Sequence, residues 1–275
     1  MNKSTFFYLL LLSLVCFAVT PRALAEQAVP KLQGKLMQGS LIRGETKAGS
    51  KVWLNDKVIR VSSDGYFVMG FGRDAALTHT LSWQHQHMPA RDSMQLVLQK
   101  REYKIERIEG VPSKYVSPPK AVLDRIRQEN TAIAKARKTN SELRDFLSEL
   151  IMPAKGRISG VYGSQRFFNG EPKRPHYGLD IANKTGEPVV APIGGVVSLA
   201  HDDMYYSGGT LIIDHGFGVS STFIHLDKIH VKVGQRVEQG ERIADIGATG
   251  RVTGSHLDWR INWFGTRVDP ALLVD

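Results

Sequence analysis

The sequence predicts a mainly β protein with an N-terminal small β-sandwich-like domain, a helical linker and a C-terminal antiparallel β domain. Apolar and polar residues alternate between turn residues over 26–108, as expected for short strands. A helical spacing of apolar residues amid many charges follows over 109–150. Short runs of valine, isoleucine and glycine then occupy 151–275, a composition typical of antiparallel sheets with tight turns.

Residues 1–25 are predicted to be a secretory signal peptide. Lys3 precedes an apolar stretch over 6–19, and Ala23-Leu24-Ala25 fits the small-x-small cleavage pattern. The stretch is shorter than the roughly 20 residues that a membrane-spanning helix needs, although an uncleaved signal anchor is the alternative. We therefore expect an exported protein, periplasmic if the source has two membranes, with no stable membrane span after cleavage.

Cysteine content and charge limit the function classes. The single cysteine, Cys16, lies inside the predicted signal, so the exported chain offers no disulfide and no thiolate ligand or nucleophile. The full chain carries a formal net charge of +9. This charge suits an anionic partner such as a carboxylate-bearing wall polymer, or simply a soluble surface. It is not gathered in a dense basic run, so nucleic-acid binding is not predicted.

The N-terminal domain, 26–108, has its predicted turns at Gly44, Gly49, Asn55-Asp56 and Asp64-Gly65. It also holds His85-Gln86-His87, whose two histidines have the spacing of a metal-binding pair on a strand. Since no other ligand stands nearby in sequence, we interpret this stretch as a solvated strand face.

The linker, 109–150, begins with prolines and continues as a helix with a predicted break near Thr139-Asn140. A spacer, a lid over a site and a partner-binding helix remain open as its role. The apolar positions that indicate the helix are Val122, Ile126, Ile133, Leu143 and Leu147.

Three separated histidine segments of the C-terminal domain carry the candidate chemistry. They are His176-Tyr177-Gly178-Leu179-Asp180, Phe223-Ile224-His225-Leu226 and His256-Leu257-Asp258. A catalytic zinc needs about three nitrogen or oxygen ligands and an open position. Residues 256 and 258 share one strand face because side chains alternate with a period of two. The other histidines of the domain, His201, His215 and His230, have no motif role and are predicted to be surface or turn residues.

The motifs HYGLDIA, FIHL and GATGRVTGSHLDW resemble those of the zinc-dependent peptidoglycan endopeptidases of the lysostaphin and LytM type, peptidase family M23. The resemblance runs from about Pro153 to the C-terminus. It implies a LytM-type antiparallel β peptidase domain over 151–275 that holds one Zn²⁺ and hydrolyses peptide cross-links of peptidoglycan in the cell envelope. Another cell-wall hydrolase or a division protein is a further partner that it implies.

The resemblance also implies roles for individual residues. His176 and Asp180 match the first two metal ligands. His225 and His256 match the histidines that orient the attacking water and stabilise the developing oxyanion. Arg166 is expected at the cleft edge, where it either contacts a substrate carboxylate or supports the fold.

The sequence departs from the family pattern at two neighbouring positions. Asp258 stands where the third ligand is a histidine, and Arg260 stands where a glutamate is usual. We expect the metal ligands to be His176, Asp180 and Asp258, with Arg260 holding the Asp258 carboxylate in place. The alternative is that Arg260 forms a salt bridge with Asp258 and that Asp258 then does not bind the metal. A second carboxylate would make the centre less positive and a weaker activator of water.

Two further hypotheses follow from this departure. The protein could be a catalytically degenerate LytM-type regulator or wall-binding module that activates another hydrolase. A site rich in carboxylates could also hold another divalent metal, such as manganese or iron.

Overall fold

The computed structural model describes residues 28–109 and 119–274. The predicted signal peptide with Cys16, and the prolines 112 and 118 of the predicted connector, lie outside the described residues. Within the described ranges the protein is mainly β, as the sequence predicts. No helix in these ranges is long and apolar enough to cross a membrane.

Eight strands precede the helix in the described chain. They are β1 (Lys31–Gln33), β2 (Leu41–Glu45), β3 (Lys51–Leu54), β4 (Lys57–Ile59), β5 (Tyr66–Gly70), β6 (Thr78–Gln84), β7 (Asp92–Val97) and β8 (Ile105–Ile108).

The first seven strands form two antiparallel sheets, ordered β1-β2-β5 and β4-β3-β6-β7. Side chains from both sheets, among them Ile42, Phe67 and Trp83, pack into one core, which gives the predicted sandwich-like arrangement. The predicted turn at Asn55-Asp56 joins β3 to β4. Both residues have positive φ (48° and 62°), as a tight two-residue hairpin turn requires.

The prediction of a solvated strand face at His85-Gln86-His87 is wrong for His85. Strand β6 ends at Gln84, and the three residues form the turn that follows it. His85 is buried, and its Nδ1 lies 2.7 Å from the Ser50 hydroxyl oxygen. The chain reverses direction here, so the side chains at 85 and 87 do not keep the alternation of a strand.

The linker contains helix α1 (Leu123–Arg137), which follows a 3₁₀ turn at Lys120–Val122. The helix ends just before Thr139-Asn140, where the break is predicted, and a second 3₁₀ turn occupies Asp145–Leu147. Ala136 of α1 packs on Leu199, Met204 and Ile212 of the C-terminal domain. The helix therefore lies against the domain that carries the histidine segments.

Twelve strands follow in the described chain. They are β9 (Arg157–Gly160), β10 (Gln165–Phe168), β11 (Glu171–Pro172), β12 (Leu179–Ala182), β13 (Pro188–Val190), β14 (Gly195–Met204), β15 (Gly208–Gly216), β16 (Val219–Ile229), β17 (Arg236–Val237), β18 (Arg242–Ile246), β19 (His256–Trp263) and β20 (Thr266–Val268), with a 3₁₀ turn at Pro270–Leu272.

The main C-terminal sheet has the order β17-β14-β15-β16-β19-β12-β9, and its neighbouring strands are antiparallel. Its interior strand β15 is buried along its whole length. This burial makes the prediction of a surface position wrong for His215, which lies in β15. Its imidazole nitrogens each lie 2.7 Å from an oxygen, of the Gly194 carbonyl and of the Ser221 hydroxyl. His201 and His230 are exposed, as predicted.

The two halves of the chain share a small sheet. Strand β8 pairs in parallel with β10, so Glu106 of the N-terminal half lies opposite Arg166. An ion pair between Arg101 and the buried Asp269 (2.8 Å) joins the halves nearby. These contacts place Arg166 beside the strand that carries Asp180.

Candidate metal centre and cleft

Strand pairing brings the two aspartates together. Asp180 of β12 lies directly opposite Asp258 of β19, and Ile224 of β16 lies opposite Asp258 on the other side. His176 precedes β12 on an irregular segment, where its backbone N–H donates to the Ser164 carbonyl at 2.8 Å. Residues that are far apart in sequence therefore meet at the middle of the sheet.

His176, Asp180 and Asp258 are all buried, and each offers one ligand atom within 4.8 Å of the other two. His176 Nε2 and Asp180 Oδ1 lie 3.0 Å apart. Neither of these atoms has a hydrogen-bond partner among the residues that the structure describes, and the same holds for His176 Nδ1. Zinc bonds of about 2.0–2.2 Å hold ligand atoms roughly 3.3 Å apart. The residues present, one imidazole and two carboxylates, therefore fit the ligand set of a divalent cation.

Asp258 also forms a bidentate ion pair with Arg260. Arg260 Nε donates to Oδ1 at 2.9 Å and Nη2 donates to Oδ2 at 2.5 Å. Burial opposes ionisation of the Asp258 carboxyl, but the guanidinium of Arg260 outweighs it, so the pKa of Asp258 lies well below its usual range. The carboxylate is ionised, as a metal ligand must be, and it is already shared with a cation.

The backbone at two glycines lies close to the aspartates and leaves space for their carboxylates. Gly178 lies against Asp258, and a Cβ at position 178 would stand 2.2 Å from Asp258 Oδ1. Gly160 plays the same part beside Asp180, since its Cβ would stand 2.2 Å from Oδ2. Both positions need glycine because carboxylate atoms occupy the space of a side chain.

Arg166 contacts two protein carboxylates. Its Nη2 donates to Asp180 Oδ2 at 2.5 Å and its Nε donates to Glu106 Oε2 at 3.1 Å. Burial and the charge of Asp258 act to raise the pKa of Asp180, but His176 and Arg166 outweigh them, so the pKa of Asp180 is lowered. Arg166 thus orients Asp180 and leaves Oδ1 directed toward His176.

His225 lies at an irregularity in the pairing of β16 with β15 and has a positive φ of 67°, a conformation uncommon for a residue other than glycine. Its Nδ1 lies 2.9 Å from the Thr249 carbonyl oxygen. Because a carbonyl only accepts, Nδ1 carries the proton and Nε2 is the acceptor nitrogen. Burial lowers the pKa of His225 to about 4, against the opposing charge of Asp258. The imidazole is therefore neutral near pH 7.

His256 begins β19 and stands beside His225, with 4.9 Å between the ring centroids. Its Nδ1 lies 2.9 Å from the Gly254 carbonyl oxygen, and its Nε2 lies 4.0 Å from Asp180 Oδ1. Both histidines line a cleft of about 580 Å³ together with Asp180 and Arg166. The cleft gives a bound molecule access to the histidines and to Asp180.

The structure thus brings together the residues predicted from sequence, namely His176, Asp180, His225, His256 and Asp258, with Arg166 and Arg260 in contact with the aspartates. Sequence reasoning missed Gly160 and Gly178, whose need for a missing side chain depends on the strand packing. It also missed Arg137 and Arg267, which belong to no motif and approach the site only through the fold.

The C-terminal domain combines an accessible cleft with a cluster of histidines and carboxylates. These are features of metal-dependent hydrolase domains. The family description "Peptidase family M23" matches residues 174–270. These residues are a peptidase M23 domain.

Known proteins similar to this chain agree with that assignment. A putative peptidase M23 from Pseudomonas aeruginosa has a crystal structure that covers 87% of this chain and 95% of its own, at 26% identity and a TM-score of 0.68. The peptidoglycan DD-endopeptidase ShyA of Vibrio cholerae is 36% identical over 126 residues, 45% of this chain. The murein hydrolase activator NlpD of Escherichia coli is 29% identical over 118 residues, 43% of this chain. This chain covers 29% of the length of each of these two relatives.

Proposed function

We propose that this protein is an exported, zinc-dependent endopeptidase that hydrolyses peptide cross-links of peptidoglycan in the periplasm. The observation that supports this most directly is the buried cluster of His176, Asp180 and Asp258, whose ligand atoms lie within 4.8 Å of one another. His176 Nε2 and Asp180 Oδ1 lie 3.0 Å apart, and neither makes a hydrogen bond of normal geometry within the described residues, so a cation would satisfy both. The substrate class rests on relatives such as ShyA, whose name gives peptidoglycan as its substrate.

In this proposal His176, Asp180 and Asp258 hold the ion. When bound, zinc supplies a Lewis acid that polarises the scissile carbonyl and lowers the pKa of the attacking water. Arg166 fixes Asp180 through its second oxygen. Arg260 fixes Asp258 and withdraws part of its negative charge, which leaves the centre more positive than two free carboxylates would.

His225 and His256 line the cleft, where they transfer the proton of the attacking water and stabilise the charge that develops on the substrate. His225 is neutral near pH 7 and its Nε2 is an acceptor, so it can take a proton from the attacking water. His256 directs Nε2 toward the same region, since its Nδ1 is held by the Gly254 carbonyl. With Nδ1 donating to that carbonyl, Nε2 of the neutral ring accepts a hydrogen bond from the attacking water, and it donates to the developing oxyanion once it has taken up a proton.

The test combines metal content with turnover. The purified protein should bind about one zinc per chain and release cross-linked peptides from sacculi. His225→Ala should keep the zinc but lose release by about 100-fold or more, as expected when a positioned proton acceptor is removed. His201→Ala, which removes an exposed histidine of the same domain, is the matched control and should retain both properties. Release that is equal in wild type and His225→Ala would contradict the proposal.

A second candidate function is supported by the bidentate Asp258–Arg260 pair, which occupies both carboxylate oxygens. In this alternative the domain does not hydrolyse peptides and instead activates another cell-wall hydrolase, as the name of the relative NlpD describes for that protein. Addition of the His225→Ala variant to another cell-wall hydrolase should then increase the turnover of that hydrolase on sacculi as much as wild type does. An endopeptidase function predicts that this variant has no effect on sacculi.

A further inference from the structure

A second cavity, of about 210 Å³, lies between helix α1 and the face of the C-terminal sheet, next to the candidate metal centre. His225 and Asp258 form part of its wall. The rest of the wall is unusually basic, because arginines from five separate parts of the fold line it. These are Arg137 of α1, Arg166 of β10, Arg251 after β18, Arg260 of β19 and Arg267 of β20.

The carboxylates that line the cavity are already committed elsewhere. Asp258 is paired with Arg260. Glu129 accepts from Arg125 Nε at 2.7 Å and from the backbone N–H of Tyr205 at 2.9 Å. Neither carboxylate is therefore available to pair with Arg137 or Arg267.

Arg137 and Arg267 have buried nitrogens without a hydrogen-bond acceptor in the described residues, namely Arg137 Nε and Arg267 Nη1. Arg137 otherwise makes one long hydrogen bond, from Nη2 to the Thr222 hydroxyl at 3.4 Å. Arg267 otherwise places its guanidinium 5.2 Å from the ring centroid of Tyr177. Buried guanidinium N–H groups are normally satisfied by an acceptor, and these two share one cavity.

Electrostatics point the same way. Burial and the charges of Arg267 and Arg260 lower the pKa of Arg137 to about 8. Burial and the charge of Arg260 also lower the pKa of Arg267, to about 10. Burial is the larger cause in both cases, and the charge of Asp258 opposes it only in part. A bound anion would offset this buried positive charge and accept from the guanidinium groups.

We propose that this cavity is an oxyanion-binding site in which Arg137 and Arg267 bind a carboxylate or phosphate group. The planar guanidinium presents paired donors that match both kinds of oxyanion. The cavity volume suits one such group with its adjoining atoms. The site goes beyond the proposed peptidase function, since anion binding requires neither a metal nor hydrolysis. Helix α1 would serve as one wall of this site because it contributes Arg137.

Calorimetric titration of the metal-free full-length protein at low salt tests the site. One arm uses inorganic phosphate, and the other uses a short peptide with a free C-terminal carboxylate, with the same peptide amidated as its control. Arg137→Gln and Arg267→Gln should each weaken binding by about tenfold or more, the scale of a charge-assisted hydrogen bond lost from a buried site. Arg127→Gln is the matched control, since Arg127 lies exposed on the same helix and pairs with Asp124.

The two arms also identify the source of the oxyanion. Binding of the free-acid peptide but not of its amide, with competition by phosphate, assigns the site to a peptide carboxylate. Binding of phosphate alone assigns it to a free oxyanion. Absence of binding in both arms, or equal binding by Arg137→Gln and Arg127→Gln variants with unchanged circular dichroism, overturns the proposal. Because the protein is metal-free, either result is independent of the peptidase test.

Discussion

Asp258 and Arg260 lie two positions apart on one face of β19 and form a two-point ion pair, with Nε–Oδ1 at 2.9 Å and Nη2–Oδ2 at 2.5 Å. The same carboxylate lies within 4.8 Å of the ligand atoms of His176 and Asp180. The pair therefore joins the candidate metal centre to the arginine-lined cavity. The strength of the Asp258–Arg260 ion pair therefore affects how tightly Asp258 can bind a cation.

Replacing Arg260 should show how far the guanidinium and a bound cation both stabilise the Asp258 carboxylate. In Arg260→Gln the buried Asp258 loses its counter-charge, so we expect the metal-free protein to lose about 3 kcal/mol of stability. Zinc should restore more stability to the variant than to wild type, because in the variant only zinc supplies the counter-charge that Arg260 gives Asp258 in wild type. Thermal unfolding with and without zinc measures both effects.

Arg242→Gln is the control for that experiment, since it also removes the arginine partner of a buried aspartate, Asp245, that is not one of the candidate ligands. It should show the wild-type response to zinc. A zinc response of Arg260→Gln equal to that of wild type would mean that Asp258 is not a ligand.

Gly178→Ala should disturb the centre through packing alone. The new methyl group would stand 2.2 Å from Asp258 Oδ1, so either the carboxylate or the backbone must move. We expect a loss of about 1–3 kcal/mol in the free energy of unfolding, together with weaker zinc binding. Gly265→Ala, at a glycine whose Cβ would meet no atom within 4 Å, should leave both unchanged. Denaturant titration and zinc titration on the two variants test the contrast.

Stability should fall as the pH is lowered from about 6.5 to about 4. Burial lowers the pKa of His215 to about 4, so the folded state stays neutral there while the unfolded state takes up a proton near pH 6.5. The unfolded state thus binds more protons in this window, and the free energy of unfolding decreases by about 2–3 kcal/mol for this histidine. The folded state therefore keeps its full stability above about pH 6.5, the pKa of His215 in the unfolded chain. It loses this contribution as the pH falls toward about 4, the pKa of His215 in the folded protein.

His215→Gln should reduce that dependence on pH, whatever its effect on stability at pH 7.5. Denaturant unfolding of wild type and variant at pH 7.5 and pH 5 gives the two differences to compare. Identical differences would show that His215 does not contribute to the acid sensitivity.

Arg101→Met should weaken the contact between the N-terminal strands and the C-terminal end of the chain. Asp269 is buried, accepts from the Ala271 backbone N–H at 2.9 Å, and depends on Arg101 for its counter-charge. Its loss should cost about 2–3 kcal/mol, since a charge is left buried without its partner. Lys31→Met, which removes one member of an exposed ion pair, should have no measurable effect. The midpoint of urea unfolding is the measurement.

Much of the candidate site was predictable from sequence because its residues lie in short local motifs. His176 and Asp180 are four residues apart, and residues 256, 258 and 260 share a strand face by the alternation of side chains. The mainly β fold was likewise predictable from alternation and turn residues such as Asn55-Asp56. The errors fell where tertiary packing overrides local pattern: His85 is buried in a turn, and His215 is buried in a strand covered on both faces.

The sequence by itself determined which side chains can bind a cation and that position 258 offers a carboxylate in place of an imidazole. Only the tertiary structure decided how that carboxylate is used. Antiparallel pairing of β12 with β19 sets Asp258 beside Asp180, and the close approach of Gly178 leaves room for both the cluster and the Arg260 pair. Arg137 and Arg267 reach the same region from a helix and a distant strand. No local pattern encodes such convergence, because it depends on strand order and helix docking, which bring together residues far apart in the chain.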